Sequence, residues 1–190
     1  MINHIDLSTV LRRTVCDLYS DLVTRPTGAA VRTGIEQQLE EVGDRTLTII
    51  DFSHVGLLDF SCADEIVAKL LLRYTGAAAE SRGTPPREAW FVFRGLDDSH
   101  LDAIEAVLQR HRLAIVAQLA DGSPVLVGNI ADDLRQTWQT LSGFGRAGAR
   151  EVARALGLQA PDAQALLEAL CKHRVAMQLE DEFLAVGAAT

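Results

Sequence analysis

The chain has 190 residues, of which 48% are hydrophobic and 23% are charged, so it can bury a sizeable core and wholesale disorder is excluded. Its 18 basic and 26 acidic residues give a formal net charge of −8, which argues against a general nucleic-acid or anionic-membrane binder, because both need a basic surface. No apolar run approaches the roughly 20 residues that cross a bilayer, and the first residues show no signal peptide. Three widely spaced cysteines predict neither a disulfide framework nor a metal site. We therefore expect a cytoplasmic protein without membrane association.

The first 130 residues show helical and strand periodicities that alternate along the chain. In chain order they predict a helix over Leu7–Leu22, a helix capped by Thr27 that runs to Val42, a strand over Arg45–Phe52, a loop, a helix from Ser61 to Tyr74, a polar loop over Gly76–Pro86, a strand over Ala89–Phe93, a helix over Asp97–His111, and strands over Leu113–Ala120 and Val125–Val127. Asp121-Gly122 predicts a hairpin between the last two strands. This order predicts an α/β fold in which helices pack on a sheet.

After Asn129 the pattern changes to helices that are separated by glycine-containing turns. It predicts helices over Asp132–Leu141, Ala147–Leu156 and Ala160–His173, followed by a hairpin of Val175–Leu179 and Phe183–Val186. We place a domain boundary near Ala131, which divides the chain into residues 1–130 and residues 131–190.

The segment from Leu47 to Leu72 carries the most specific motif. A buried strand ends in Asp51-Phe52-Ser53, and Asp59-x-Ser61 stands at the start of an amphipathic helix. This arrangement, over about residues 20 to 130, resembles STAS domains, the fold shared by anti-sigma-factor antagonists and the tails of sulfate transporters. The antagonists carry an Asp-Ser-Ser/Thr-Gly motif at this junction, and an ATP-binding kinase of the anti-sigma type phosphorylates its second hydroxyl.

Position by position, Asp59 matches the aspartate of that motif and Ser61 matches the phosphoacceptor. Phe60 replaces the first hydroxyl residue, and Cys62 replaces the glycine. The whole pattern looks closer to a divergent STAS-like group of uncharacterised prokaryotic proteins. Members of that group often have an arginine-containing loop before the first STAS helix, which Thr24-Arg25-Pro26-Thr27-Gly28 would match.

Ser61 has two compatible interpretations. In one, its hydroxyl caps the helix by accepting from the amide of Asp64, which stabilises by about 1 kcal/mol. In the other it is a phosphoacceptor on a partner surface that includes Asp59 and Asp64. Thr24, Arg25 and Thr27 could add an anion-binding or partner-binding loop, and the alternative is a surface arginine beside a proline turn.

Residues 132 to 188 resemble a winged helix-turn-helix, with Arg150 to Leu158 as the first helix and turn of that motif. This part has six basic and eight acidic residues, and the would-be recognition helix, Asp162–Lys172, offers one cation at its end. Phosphate contacts dominate affinity for DNA, so protein contact is favoured over DNA binding. Arg150 and Arg154 are the candidate DNA contacts.

Together these features predict an α/β STAS-like domain followed by a small winged-helix-like α+β domain. We expect a non-enzymatic cytoplasmic regulator that acts through protein–protein contact, is switched by phosphorylation of Ser61, and needs no cofactor or metal. The implied partner is an ATP-binding kinase of the anti-sigma type. The alternative is a DNA-binding transcriptional regulator that uses the C-terminal domain. No P-loop, G-x-S-x-G or G-x-G-x-x-G motif with the required strand supports an enzyme.

Overall fold

The computed structural model describes residues 2–16, 20–42, 45–75 and 88–188. The elements of its first part are β1 (Ile2–Asp6), α1 (Leu7–Thr14), α2 (Arg25–Glu40), β2 (Arg45–Asp51), α3 (Phe60–Ala63), a π-helical segment (Asp64–Lys69), α4 (Leu70–Tyr74), β3 (Glu88–Arg94), α5 (Asp98–His111), β4 (Ala114–Gln118) and β5 (Pro124–Gly128). The second part contains α6 (Asp132–Phe144), β6 (Arg146–Gly148), α7 (Ala149–Leu156), α8 (Ala160–Lys172), β7 (Ala176–Leu179) and β8 (Glu182–Ala185). The protein is therefore a mixed α/β protein, as the alternating pattern predicts.

The central sheet has the strand order β1-β2-β3-β4-β5, in which the first four strands are parallel and β5 is antiparallel to β4. Crossovers between parallel strands are almost always right-handed, so a sheet that grows in one direction receives all its crossover helices on one face. The packing agrees, because apolar residues of α1 to α5 belong to one core on one face of the sheet, while alternate side chains of the strands point into a second core. The helix-covered core contains Ile5, Ile50, Phe91, Phe93 and Ile115, together with apolar residues of α1 to α5. The opposite core contains Leu47, Ile49, Trp90, Val92, Ala114, Val116 and Leu126.

The second part of the chain covers that opposite face. Trp138 and Leu141 of α6, with Leu167 and Leu170 of α8, belong to the same core as the outer-face residues of β2 to β4. Its β6, β7 and β8 form a three-stranded antiparallel sheet in the order β6-β8-β7. The predicted boundary falls immediately before α6, and the independence of residues 1–130 stays a prediction.

The sequence-based prediction misses two short strands and misplaces one end of three helices. Residues 2–6 form β1, an edge strand too short to show a periodicity. The first helix ends at Thr14, and Leu22 instead forms an isolated bridge with Leu58. The second helix begins at Arg25 rather than after Thr27, since Pro26 fits the first helical turn.

The fourth error concerns the segment before α7. Residues 146–148 were expected to open a helix near Ala147, but they pair with β8 as β6, and α7 begins at Ala149. The remaining strands and helices are confirmed within a few residues, including the hairpin of β4 and β5. The loop predicted over 76–86 lies outside the described residues.

Candidate functional site

The loop between β2 and α3 lies where the motif of the sequence analysis was found. It is held by the segment before α2: the Gly56 amide donates to the Ser20 carbonyl over 2.8 Å, and the Leu57 amide donates to Oδ1 of Asp21 over 3.0 Å. The Asp59 amide donates to the carbonyl of Leu22 over 2.9 Å. The loop is thus fixed by backbone contacts along most of its length.

A buried histidine fixes the same loop from the other side. Nδ1 of His100 accepts a hydrogen bond from the Asp97 amide at 3.2 Å, so Nε2 carries the proton and donates to the carbonyl of Gly56 at 2.9 Å. Val55 and Leu58 point into the core, whereas Leu57 is 59% exposed. The side chains of this loop therefore divide into an inner pair and an outward apolar residue.

Asp59 caps the following helix. Its Oδ1 accepts from the Cys62 amide at 2.7 Å, and its Oδ2 accepts from the Thr24 amide at 3.0 Å. Burial raises the pKa of Asp59, but these hydrogen bonds and one from Ser61 outweigh that effect and hold the pKa below its ordinary value. The carboxylate is therefore kept ionised as a cap and as a link to the loop before α2.

Ser61 is not the N-cap that the sequence suggested. It is the second residue of α3, and its hydroxyl donates to the two carboxylate oxygens of Asp59 at 2.9 and 3.1 Å. Asp59 is the better cap because its carboxylate reaches the Cys62 amide directly. Ser61 is half-buried, and its neighbour Phe60 is 39% exposed, with the guanidinium of Arg110 5.9 Å from the ring centre.

The loop before α2 joins the same site. Thr24 has a left-handed backbone, with φ of 73°, and its carbonyl accepts from the Gly28 amide at 3.1 Å and from Sγ of Cys62 at 2.9 Å. Its hydroxyl lies 3.1 Å from the hydroxyl of Thr27. A Cβ on Gly28 would lie 2.8 Å from Cα of Cys62, so only glycine allows α2 to approach α3 this closely.

Arg25 connects the two motifs through a pair of buried carboxylates. Its Nη1 lies 2.8 Å from Oδ2 of Asp64 and 2.8 Å from Oε1 of Glu65. The side chains of these acids are 8% and 3% exposed, whereas Arg25 is 47% exposed. Both acids belong to the π-helical segment, which is a local distortion that often marks functional sites.

Further basic side chains contact this acidic pair. Asp64 also contacts Nε2 of His111 at 2.7 Å, while Glu65 contacts Lys69 and lies 3.3 Å from Nε of Arg32. Burial raises the pKa of each acid, but its hydrogen bonds, from Arg25 and His111 to Asp64 and from Lys69, Arg25 and Arg32 to Glu65, outweigh burial and lower the pKa. Both acids are therefore held as carboxylates.

The structure thus brings together all six candidate residues of the first part, although not in the roles expected for each. Thr24, Arg25, Thr27, Asp59 and Ser61 surround the start of α3, and Asp64 is buried behind Arg25 rather than exposed to a partner. Sequence reasoning missed Glu65, Arg32 and His111. An Asp-Glu pair in a helix is typical of a solvated face, so no local signal distinguishes it from one that is buried.

The thiol at the centre of the site is unreactive. Burial, together with the neighbouring charge of Asp59, raises the pKa of Cys62 to about 12. The thiol is therefore protonated at neutral pH and acts as a buried donor to the Thr24 carbonyl. In residues 2–16, 20–42, 45–75 and 88–188, no group of three or more histidine, cysteine or acidic side chains has the geometry to hold a metal ion.

The candidate DNA contacts lie elsewhere. Arg150 and Arg154 are exposed one turn apart on α7. Other cations of this part are engaged within the protein: Arg135 donates to the carbonyls of Leu126 and Gly128, and Arg146 pairs with Glu182. Few cations are therefore placed to contact phosphates.

The fold and site define a mixed α/β protein with a charged network at the start of one helix. Comparison with models of protein families, with curated proteins and with solved structures found no match for this chain. Among the described residues, no helix combines the length and the apolar character that a membrane span requires.

Proposed function

We propose that this protein is a non-enzymatic regulator that binds a partner protein through the β2–α3 loop and the start of α3. The observation that carries the proposal is the exposure of two large apolar side chains, Leu57 and Phe60, on either side of Asp59. A few aromatic anchors that fill pockets on the partner supply much of the free energy of protein–protein contacts, and surrounding apolar side chains exclude water from them.

The loop is suited to binding because it is already ordered. Backbone hydrogen bonds to Ser20 and Leu22 and the side chain of His100 hold it in place. A preorganised surface loses little conformational entropy when it binds, so more of the contact free energy appears as affinity. The STAS resemblance supports the same surface, since partners of that family contact the junction that holds Ser61.

Phosphorylation of Ser61 would act on this surface. Its Oγ lies 2.9 Å from Oδ1 of Asp59, so a phosphate there would add about −1.5 to −2 charges next to the carboxylate that caps α3. The repulsion would loosen the contact between Asp59 and Thr24 and place charge between Leu57 and Phe60. An ATP-binding kinase of the anti-sigma type, as the resemblance implies, would supply the phosphate.

The first experiment compares proteins captured from cells of the source by three forms of the full chain: wild type, Leu57→Asp and Phe144→Asp. Phe144 is a matched control because it is also exposed, at 51%, but lies at the end of α6. We expect one set of partners to be lost only with Leu57→Asp, as quantified by mass spectrometry. Equal capture by all three forms would contradict the proposal that this loop is the partner-binding surface.

The second experiment tests the switch on a recovered partner by calorimetric titration against wild type, Ser61→Ala and Ser61→Asp. The switch predicts that Ser61→Ala binds normally and that Ser61→Asp binds at least about tenfold more weakly, which is about 1.4 kcal/mol. If all three bind equally, Ser61 only supports the cap, and the partner surface stands without a switch.

DNA binding by the C-terminal part is the second candidate. The favouring observation is the element order α6-β6-α7-α8-β7-β8, which is similar to that of a winged helix. Because its exposed cations are few, we expect duplex affinity no better than the non-specific range of about 10⁻⁴–10⁻⁶ M at physiological salt. Fluorescence anisotropy that gave nanomolar, sequence-selective binding, lost in Arg150→Ala and Arg154→Ala, would make DNA binding the leading function.

A further inference from the structure

A cavity of about 670 Å³ lies at the carboxyl ends of the parallel strands. Ser53 follows β2, Arg94 ends β3 and Gln118 ends β4, and all three line this cavity. The hairpin of β4 and β5 and one side of α5 complete its walls. Loops that a rigid sheet positions in this way commonly carry ligand-binding residues.

The walls of the cavity are mainly aliphatic. They are formed by Leu96 after β3, Leu101 on α5, and Leu119, Val125 and Val127 on the hairpin. Leu119 is 49% exposed, although it stands beside half-buried apolar neighbours. The volume of the cavity lies within the range of about 300–1,000 Å³ that small-molecule sites occupy, and such sites combine apolar walls with a few placed polar groups.

One charged side chain in the cavity is held in a fixed orientation. Nε and Nη2 of Arg94 each lie 2.8 Å from Oδ2 of Asp51, whose Oδ1 accepts from the hydroxyl and amide of Ser53. Within the described residues, Nη1 of Arg94 makes no hydrogen bond. Arg94 is 40% exposed, so its remaining N–H groups are available to an acceptor that enters the cavity.

The backbone is shaped to keep these groups close. Gly95 has φ of 68°, and a Cβ at this position would lie 2.5 Å from the amide nitrogen of Ser53. Only glycine combines this backbone with such a close approach. The turn after β3 therefore packs directly on the residue that orients Asp51.

The charges select against an anionic ligand. Asp51 already balances the charge of Arg94, and Glu105 on α5 adds a carboxylate to the wall. A carboxylate in the ligand would meet Glu105 and an arginine whose charge Asp51 already balances, whereas a neutral carbonyl or hydroxyl oxygen can accept from Arg94 without repulsion.

We propose that this cavity binds an uncharged small molecule with an aliphatic body and one hydrogen-bond acceptor. The inference goes beyond the proposed protein contact, because the cavity is lined by neither Leu57 nor Phe60. A negative result for the small-molecule site would therefore leave the proposed protein contact untouched, and a negative result for the protein contact would leave the small-molecule site untouched.

The test titrates the full chain with octanamide, sodium octanoate and octylammonium chloride and follows backbone amide resonances by NMR. We expect octanamide to bind with a Kd of about 1 mM or tighter and to shift amides of Leu96, Leu119 and Val125. Octanoate, which Glu105 repels, and octylammonium, which has no lone pair to accept from Arg94, should each bind at least about tenfold more weakly. Absence of octanamide binding, or equal binding of octanoate or octylammonium, would overturn the proposal.

Two variants locate the site. Arg94→Gln removes the guanidinium and Val125→Phe fills the cavity, and each should weaken octanamide binding by about tenfold or more. The matched controls are Arg110→Gln, an exposed arginine on α5, and Val15→Phe, at an exposed valine outside the cavity. Circular dichroism confirms that each variant is folded. Unchanged binding in the two folded site variants would overturn the assignment of the ligand to this cavity.

Discussion

The two faces of the central sheet are covered in different ways. The helix-covered face buries the carboxylates of Asp64 and Glu65, which require cations from several elements. The face covered by the C-terminal part buries polar groups of another kind: the indoles of Trp90 and Trp138 donate to the carbonyls of Ala176 and Val175 at 3.0 and 2.9 Å.

This difference shows two ways to satisfy buried polar groups. An indole N–H needs one acceptor, which a neighbouring backbone supplies. A carboxylate must recover the free energy of its lost hydration from several charged partners. Both faces bury apolar cores, and among the described residues only the helix-covered face also buries the ion pairs that set the geometry around α3.

The largest expected effect comes from removing the C-terminal part. The fragment of residues 1–130 should retain its helical circular dichroism, but it would expose the apolar side chains of one sheet face, and exposed patches of this size promote association. Sedimentation should show self-association, which Ile49→Lys in the fragment should reduce. An unfolded fragment would show that the boundary at Ala131 does not separate an independent domain, and a monomer as stable as the whole chain would mean that the second core contributes little.

Next in size is Trp138→Ala, which we expect to lower the free energy of unfolding by about 3–5 kcal/mol, because it empties a buried position. Trp138→Phe keeps most of the packing and removes one of two donors to the Val175 carbonyl, which still accepts from the Val186 amide at 3.0 Å, so it should cost about 0.5–1.5 kcal/mol. Chemical denaturation measures both. Equal losses would mean that the hydrogen bond, rather than the packing, dominates at this position.

The carboxylate pair should show itself in the pH dependence of stability. The folded-state pKa values of Asp64 and Glu65 lie below their ordinary values. Their contribution to the free energy of unfolding is therefore fully present above about pH 4–5 and is lost as the pH falls through the folded-state pKa values. The double variant Asp64→Asn/Glu65→Gln should unfold more easily at pH 7 and lose less stability between about pH 5 and pH 2 than wild type. Thermal unfolding across this range checks it, with Asp102→Asn on α5 as the control. Parallel pH curves for wild type and the double variant would contradict a role for the pair.

The smallest effects distinguish the cap from its neighbour. Asp59→Ala removes the acceptor of the Cys62 and Thr24 amides and should cost about 0.5–2 kcal/mol, at the upper end because two donors lose their partner. Ser61→Ala removes one donor from a half-buried site and should cost about 0.5–1 kcal/mol. Urea denaturation measures the free energy of unfolding of both variants. A larger loss of stability for Ser61→Ala would indicate that the serine, rather than Asp59, caps the helix.

Patterns within single segments were sufficient to predict most of the fold. β-branched runs predicted β2 and β3, Asp97 predicted the start of α5, and Asp121-Gly122 predicted the hairpin of β4 and β5, because these signals depend on local backbone preferences. The edge strand β1 escaped prediction. Its five residues alternate between exposed and buried too briefly to show a period, and its strand state depends on pairing with β2.

The candidate site was predicted only in part, because local sequence signals do not reveal contacts between distant segments. Asp59 and Ser61 were recognised at a strand–helix junction, whereas their roles in the cap depended on which side chain reaches the Cys62 amide. Arg25 and Asp64 were singled out separately, and no local feature joins residues that stand 39 positions apart. His111 is 47 positions from Asp64, and its contact arises only when α5 packs beside the π-helical segment.

Periodicity and residue type were enough for most of the elements and for the residues able to act chemically, but not for the short strands β1 and β6, which depend on pairing with other strands. Tertiary packing sets which acids are buried, whether a serine or an aspartate caps α3, and which face of the sheet the C-terminal part covers. Burial and ion pairing depend on the summed positions of several elements, and the one-directional strand order, through right-handed crossovers, leaves one face for the C-terminal part. No single segment carries that information.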